Sequence, residues 1–203
     1  MNTTPPLILA SGSPRRADLL RQAGIAFEVI KSEAPELGPD AAAHFAPREL
    51  VLENARTKAR AVTALYPDRR VLAADTEVAL DGRIYGKPAD LESAVEMLLE
   101  LSGRTHEVWT GVCVSQLNPP LHEERAVLTR VTFRPVDETV LRRYVSLVNP
   151  LDKAGAYGFQ EHGGMIVERF EGSESNIIGL PMQEVMELLG SLHASMGGGI
   201  PEV

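Results

Sequence analysis

Two kinds of hydrophobic pattern alternate along this chain, and together they predict an α/β fold. Short apolar runs, which are typical of buried strands, occupy residues 7–10, 27–30, 71–74, 107–116, 125–134 and 165–170. Apolar residues spaced three or four apart, which are typical of helices, occupy residues 14–23, 47–66, 90–101, 137–147 and 181–192. Such an alternation favours a central sheet flanked by helices.

Turn and cap residues separate these segments. Ser13 is a favourable N-cap residue, and Pro14 suits the first position of the helix that follows. The pair Asp81 and Gly82 predicts a hairpin over residues 77–85. The buried faces of two helices are expected to consist of Leu91, Ala94, Val95 and Leu98, and of Val51, Ala55, Lys58, Val62 and Leu65.

Lys58 is anomalous because it lies in the middle of an apolar helical face. A buried ammonium group is costly unless its long side chain reaches solvent or its charge meets a partner. Two interpretations follow. Lys58 extends to the surface, or it enters a buried site that contains a phosphate or a carboxylate.

Residues 9–16, "LASGSPRR", place two arginines where local electrostatics disfavours them. The first turn of a helix is the positive end of its macrodipole, so Arg15 and Arg16 are misplaced there unless an anion is near. Free backbone N–H groups, the Ser13 hydroxyl and two guanidinium groups would suit a phosphate. The alternative is a solvated pair of arginines after an ordinary cap. The GxxxxGK[ST] pattern of a P-loop is absent.

Three further features downstream are candidates for a functional site, and for two of them a purely structural interpretation is also open. Asp75 is predicted to end a buried strand, where it would hold a metal, position a water molecule or simply cap a turn. Lys87 lies between Gly86 and Pro88, which restrict its backbone. Residues 149–164, "NPLDKAGAYGFQEHGG", have little side-chain bulk, so the segment admits a ligand close to its backbone or is a flexible connection.

Composition narrows the classes of function. The chain has 203 residues and a net charge of −8, so a broad nucleic-acid-binding surface is not expected, and a phosphate must meet a local basic pocket. Cys113 is the single cysteine, which fits a reducing cytoplasm, and the five histidines lack zinc-binding spacing. No apolar run reaches the ~20 residues of a membrane helix. One domain is predicted over residues 1–195, with a flexible tail at 196–203.

Six short motifs resemble those of the Maf family and occur in the same order. They are "LASGSPRR" (9–16), "AADTEV" (73–78), "GKP" (86–88), "LSGRTHEVWTG" (101–111), "DKAGAYG" (152–158) and "IIGLP" (177–181). The resemblance implies a cytoplasmic nucleoside triphosphate pyrophosphatase with a mixed central sheet and two lobes around a substrate cleft, similar to inosine triphosphatases. "DKAGAYG" resembles the branch that hydrolyses dTTP and UTP, with modified pyrimidine triphosphates as further candidate substrates.

The resemblance also implies roles for individual residues. The family's proposed general base corresponds to Asp75, and its base-selecting positions correspond to Arg15, Thr76 and Gln160. Phosphate binding is expected from Ser13, Arg16, Lys58 and Lys87, and binding of a divalent metal, Mg²⁺ or Mn²⁺, from Asp75 and Glu36. The expected partner is the nucleotide, without nucleic acid or membrane, and a homodimer is left open. One departure is Glu161, which stands where this branch usually has glycine.

Two other classes of function remain as alternatives. A regulator of cell division or septum formation would bind nucleotides without turnover, although Asp75, Lys58 and Lys87 together favour an enzyme. A sugar-phosphate nucleotidyltransferase also uses a loop of glycine, serine and arginine followed by a lysine. Release of pyrophosphate without incorporation of a second substrate distinguishes hydrolysis from both.

Overall fold

The fold is built on one mixed sheet, which the computed structural model describes together with its flanking helices over residues 5–39 and 44–196. The seven strands in these ranges are β1 (Leu7–Leu9), β2 (Phe27–Val29), β3 (Val71–Leu80), β4 (Arg83–Tyr85), β5 (Thr105–Gln116), β6 (Leu121–Phe133) and β7 (Val167–Glu171). The helices are α1 (Pro14–Gln22), α2 (Pro47–Leu65), α3 (Leu91–Leu101), α4 (Glu138–Leu147), α5 (Glu174–Ile178) and α6 (Met182–Met196). The predicted α/β class is therefore confirmed.

The sheet runs in the order β2-β1-β3-β5-β6-β7, and β4 pairs with β3 on the same edge as β1. β1 lies parallel to β2 and β3, whereas the other pairs are antiparallel. β1 pairs only with Val71 and Leu72 of β3, and β4 pairs only with residues 78–80. The intervening stretch of β3, residues 73–77, therefore has no strand of the described residues beside it on this edge.

Alternation along β3 sends successive side chains to opposite faces of the sheet. Leu72 and Ala74 pack in one core with α1 and α6, whereas Val71 and Ala73 pack in another core with α2. A third core, which contains Phe133, lies with α3 and α4 at the other end of the sheet. The first two cores, on opposite faces of the sheet, belong to one lobe and the third core belongs to the other, as the family resemblance implied.

One glycine lets α2 approach the sheet closely. A Cβ atom added at Gly111 of β5 would lie 2.4 Å from the backbone oxygen of Val51 in α2. Real Cβ atoms do not come this close to a carbonyl oxygen, so only glycine permits the observed contact between helix and strand.

β3 differs from the prediction, because it is one continuous strand through residues 71–80. The prediction that a strand ends at Asp75 is wrong. The prediction that the first arm of the hairpin begins only at residue 77 is also wrong. The reason is the long ladder with β5, which pairs every residue of β3 from Val71 to Ala79. Asp75 thus lies in the middle of a strand, beside the edge that β1 and β4 leave uncovered.

Smaller differences occur where elements begin and end. Leu65 is 73% exposed and Leu91 is 53% exposed, because each lies at a helix terminus that extends beyond the packed face. Ser13 occupies the N-cap position of α1, but its side chain forms no capping hydrogen bond within the described residues. The predicted strand at 165–170 begins at Val167, after a 3₁₀ turn at Gly163–Met165, and α5 was not predicted.

Residues beyond Met196 lie outside the described part of the chain, so the expected tail at 196–203 is represented only by the last residue of α6. Within the described ranges, every helix is too short or too polar to traverse a lipid bilayer.

Candidate active site

A cleft of about 470 Å³ opens along the uncovered edge of β3. Its walls come from the start of α1, the segment after β2, the middle of α2, and the segment after α4. Six cationic side chains and four carboxylates line it, namely Arg15, Arg16, Lys31, Lys58, Lys87 and Lys153 with Glu36, Asp75, Glu77 and Asp152. The local basic pocket that an acidic protein needs for a phosphate ligand is therefore present.

Asp75 is the buried centre of the cleft, and both of its carboxylate oxygens are held. Lys58 Nζ lies 2.6 Å from Oδ1, and the Asn54 amide donates to Oδ2 at 2.8 Å. Asn54 and Lys58 are four residues apart on α2, so they project from the same helical face towards the same strand. This clamp fixes the carboxylate in one orientation and balances its charge.

Lys58 does not extend to the surface, because only 8% of its side chain is exposed. Besides Asp75, its ammonium group contacts Glu36 Oε1 at 3.0 Å and the Ala74 carbonyl oxygen at 3.4 Å. Of the two interpretations of this lysine, the buried site that contains carboxylates is confirmed.

Asn54 also secures the loop that carries Glu36. Its amide donates to the Leu37 carbonyl at 3.0 Å, and its oxygen accepts from the Leu37 backbone N–H at 2.8 Å. The side chain of Glu36 is half exposed, at 49%. Glu36 thus reaches the buried ammonium group from the solvent side of the cleft.

Glu77 is a buried carboxyl group of which one oxygen is unpaired. It is two residues from Asp75, on the same face of β3, and its Oε2 has no hydrogen-bond partner among the described residues. Burial, followed by the negative charges of Asp75 and Glu36, raises the pKa of Glu77 to about 8. Glu77 therefore holds a proton more readily than an ordinary glutamate.

Arg16 is committed to acceptors of the protein itself. Its guanidinium group donates to the carbonyl oxygens of Gly179 (2.7 Å) and Ala74 (2.9 Å), to Ser11 Oγ (3.0 Å) and to Thr76 Oγ1 (3.0 Å). These bonds use four of its five N–H groups. Arg16 therefore ties α1 to the open edge of β3, and at most one donor is left for a phosphate.

Arg15 meets a carboxylate across the mouth of the cleft. Its Nη1 donates to Asp152 Oδ2 at 2.9 Å and its Nη2 to the Asp152 carbonyl oxygen at 3.3 Å. Lys153 binds the other Asp152 oxygen at 2.9 Å, and Glu161 Oε1 lies 3.2 Å from the same ammonium group. The anion that the two misplaced arginines required is in part the protein's own Asp152.

The start of α1 keeps the features of an anion site. The first N–H groups of a helix have no partner within it, and Ser13 lines the cleft with its hydroxyl free of a capping role. Lys31 lies along Gly12, where an added Cβ would be 3.3 Å from its side chain. Lys87 is exposed and makes no hydrogen bond or ion pair with the part of the chain that is described.

The glycine-rich segment 149–164 forms the wall opposite α1. The Tyr144 hydroxyl donates to the Gly158 carbonyl (3.2 Å) and accepts from its N–H (3.0 Å), and Gly155 N–H donates to the Gly86 carbonyl (3.1 Å). Gly155 has a φ of 67°, which suits glycine. Gln160 is exposed at the rim of this wall. The segment thus lies against the space for a ligand rather than acting as a loose connection.

Comparison with known proteins identifies the family of the chain. The family described as Maf-like protein matches residues 6–192 of the chain. The chain belongs to the Maf family. The relatives include proteins named dTTP/UTP pyrophosphatase from Akkermansia muciniphila (48% identical; 93% of this chain and 97% of the relative), Deinococcus radiodurans (44%; 92% and 93%) and Myxococcus xanthus (46%; 90% and 90%).

The residues to which the Maf resemblance gave a role line the cleft, including Asp75, Thr76, Lys58, Lys87, Arg15 and Gln160. Sequence reasoning assigned no role to Asn54, Glu77, Lys31, Asp152 and Lys153, although Glu77, Asp152 and Lys153 lie within two of the quoted motifs. Two of the five also had a signal in the spacing of residues. Asn54 precedes Lys58 by one helical turn, and Glu77 follows Asp75 by one strand period.

Proposed function

We propose that this protein is a nucleoside triphosphate pyrophosphatase that hydrolyses dTTP and UTP to the nucleoside monophosphate and pyrophosphate. The observation that carries the proposal is the buried Asp75 clamped by Lys58 and Asn54 at the base of a basic cleft. The relatives named dTTP/UTP pyrophosphatase, which align over most of the chain, support the same substrate class. The single buried cysteine, Cys113, fits a cytoplasmic location.

The triphosphate would lie between the start of α1 and the cations on the opposite side of the cleft. Lys87 and Lys31 are free to bind phosphate oxygens, and the amides of the first turn of α1 and the Ser13 hydroxyl add donors. Arg16 positions this loop and offers at most one remaining N–H group. Lys58 would meet a phosphate where Glu36 contacts it now, because Glu36 is the exposed partner of the ammonium group.

Asp75 would orient and deprotonate the attacking water for in-line displacement at the α-phosphorus. Each of its oxygens accepts one bond from α2 and retains a lone pair for the water. The clamp prevents rotation of the carboxylate, so the base is already in place when substrate enters. Pyrophosphate then leaves among the cations of the cleft.

The carboxylates of the cleft fit a divalent cation, Mg²⁺ or Mn²⁺. Glu36 and Asp75 both contact Lys58, and the orphaned Glu77 Oε2 lacks a donor among the described residues. Within the described ranges, no three histidine, cysteine or acidic side chains form a metal cluster. Asp75 and Glu36 would therefore hold the ion with phosphate oxygens and water as further ligands. When bound, it would neutralise phosphate charge and acidify a bound water.

Base selection would rest on Gln160, Thr76 and Arg15. Uracil and thymine present an acceptor and a donor to the Gln160 carboxamide, whereas cytosine reverses both. A mismatched buried polar group costs about 1–3 kcal/mol, which predicts a preference of roughly 10- to 100-fold for dTTP and UTP over CTP. Thr76 is held between Arg16 and Thr110, so its position is well defined.

No partner other than the nucleotide is required, and a homodimer is compatible with this scheme.

The test is pyrophosphate release from dTTP, UTP, CTP and GTP by the wild type, Asp75→Asn and Gln160→Glu. Asp75→Asn should lower turnover by roughly 10²–10⁴-fold, as expected for loss of a general base. Gln160→Glu should weaken the preference for UTP over CTP. The control is Asp18→Asn, which removes an exposed carboxylate of α1 that contacts Arg21.

Three results would contradict the proposal. Near-wild-type turnover by Asp75→Asn would remove the general base, and equal kcat/KM values for all four nucleotides would remove the pyrimidine preference. Nucleotide binding without pyrophosphate release would favour the regulatory alternative.

A further inference from the structure

A chain of alternating charges spans the mouth of the cleft. Arg15 of α1 contacts Asp152, Asp152 contacts Lys153, and Lys153 contacts Glu161, with N–O distances of 2.9, 2.9 and 3.2 Å. Its first member, Arg15, belongs to the lobe that contains α1, and its last member is the direct neighbour of Gln160. This row of charges therefore links Arg15 to the neighbour of Gln160, and Arg15 and Gln160 both border the nucleotide base in the proposed function.

Lys153 is the buried link of this chain. Only 4% of its side chain is exposed, its ammonium group donates to Asn149 O (2.6 Å) and Asp152 Oδ1 (2.9 Å), and it forms an ion pair with Glu161 Oε1 at 3.2 Å. The ammonium group is therefore engaged by groups of the segment 149–161 itself. Lys153 is thus not a free cation for phosphate, although it lines the cleft.

Glu161 turns towards this buried ammonium group rather than towards the ligand space. Lys153 packs so tightly beneath the segment that a Cβ atom at Gly158 would lie 2.8 Å from Lys153 Cε and 3.5 Å from Glu161 Cβ. Tyr144 holds Gly158 from the other side. The backbone of residues 158–161 is therefore fixed at both ends, with Gln160 between the two anchors.

We infer that Glu161 is a positioning residue for base recognition: its ion pair with Lys153 fixes the segment that carries Gln160, and Asp152 couples this segment to Arg15. The inference rests on the proposed function, in which Gln160 and Arg15 contact the base. The negative charge of Glu161 is neutralised by Lys153, so it neither occupies the Gln160 carboxamide nor repels the nucleotide.

The experiment compares Glu161→Gln with a matched control, Glu123→Gln. The two glutamates have similar side-chain exposure, 41% and 43%, and each faces one cation, but Glu123 lies on β6 outside the cleft and is 3.9 Å from Arg125. For each protein, kcat and KM are measured with UTP and CTP. Affinities for the non-hydrolysable α,β-imido analogues of both nucleotides are measured by calorimetry.

Glu161→Gln should lower the preference for UTP over CTP by about threefold to tenfold, the scale of a partly buried ion pair that acts through a neighbour. The loss should appear in KM for UTP and in analogue affinity, while kcat changes by less than about twofold, because Glu161 acts on the base-binding segment and not on Asp75 in this role. Glu123→Gln should leave the preference and the affinities unchanged. The thermal midpoints of both variants should remain close to that of the wild type.

A second variant, Asp152→Asn, tests the coupling to Arg15. It should weaken the same preference, and the double variant with Glu161→Gln should lose less than the product of the two single effects, because both residues act through Lys153.

Three outcomes would overturn the inference: an unchanged preference in Glu161→Gln, tighter UTP binding by this variant, or an equal loss in Glu123→Gln. Absence of discrimination by the wild-type protein in the binding measurement would also overturn it. Failure of the proposed hydrolysis is a separate result, since analogue binding does not require turnover.

Discussion

Lys58 shows how one side chain in the cleft depends on its neighbours. Its ammonium group is nearly buried, and it is stable there because Asp75, Glu36 and the Ala74 carbonyl replace the lost water. The dependence is mutual, since Asp75 is equally buried and has Lys58 as its nearest cation. Removing Lys58 leaves the buried charge of Asp75 without its ion-pair partner, whereas Lys58 without Asp75 keeps Glu36.

We expect Lys58→Met to abolish most of the pyrophosphatase activity and to destabilise the fold. Methionine keeps the apolar stem, but the buried Asp75 loses its counter-charge, and breaking such a pair costs about 3–5 kcal/mol. The apolar helical face alone would suggest that the fold tolerates this change. The buried ion pair predicts that it does not. Urea unfolding of the purified variant measures the loss.

The double variant Lys58→Met with Asp75→Asn is the control for this prediction. It should recover a large part of the lost stability, because neither charge is then unpaired, while activity stays low. A single variant as stable as the wild type would show that Lys58 merely extends along the helix.

At the scale of elements, the site is the junction of α2 with the sheet. α2 carries Asn54 and Lys58, β3 carries Asp75, and the distance between them is set where α2 crosses β5 at Gly111. The absence of a side chain at this one position therefore determines how far the lysine reaches.

Gly111→Ala should push α2 away from the sheet. The added Cβ would lie 2.4 Å from Val51 O, so the backbone must shift, and overpacking of this kind costs about 1–3 kcal/mol. We also expect turnover to fall, because Lys58 and Asn54 move with the helix. Thermal unfolding and pyrophosphate release are the measurements.

The matched change is Gly190→Ala in α6, where an added Cβ meets nothing within 4 Å. Alanine should stabilise that helix by up to ~1 kcal/mol without altering activity. If Gly111→Ala were as harmless as this control, the close approach of α2 to β5 would not constrain the site.

At the scale of the whole molecule, the second lobe encloses a neutral histidine. His106 is 1% exposed, pairs with the Tyr157 hydroxyl at 2.9 Å and lies edge-on to Phe133. Burial lowers the pKa of His106 to about 3. In the unfolded chain a histidine has a pKa of about 6.5, so between these values only the unfolded chain binds the proton.

Stability should therefore fall as the pH decreases below about 6.5, and this contribution is fully present above that value. The expected slope is roughly 1.4 kcal/mol per pH unit, which amounts to about 2 kcal/mol between pH 7 and pH 5. The free energy of unfolding, measured at several pH values for the wild type and His106→Gln, checks the effect. The variant should show a flatter dependence, and equal slopes would exclude His106 as the cause.

Much of the architecture follows from the chain's local patterns. The spacing of apolar residues and the positions of turn residues predicted the α/β class and most helices and strands to within a few residues. These elements depend mainly on residues that are neighbours in sequence. The Maf motifs also indicated a phosphate-binding start of α1 and an aspartate on β3. The roles of Ser13, Arg16, Lys87, Thr76 and Gln160 remain predictions, although all five side chains line the cleft.

Only the tertiary structure decided which partners these residues have. Arg16 bonds to Gly179, 163 residues away, and Arg15 to Asp152, 137 residues away. A local pattern shows that a charge needs a counter-charge, but it does not identify which distant group supplies it. For the same reason the sequence wrongly predicted a strand end at Asp75. The pairing with β5 that extends β3 is a long-range contact, which local patterns do not show. Sequence thus determined the elements and their candidate chemistry, and packing determined whether each charge faces the open cleft or another group of the protein.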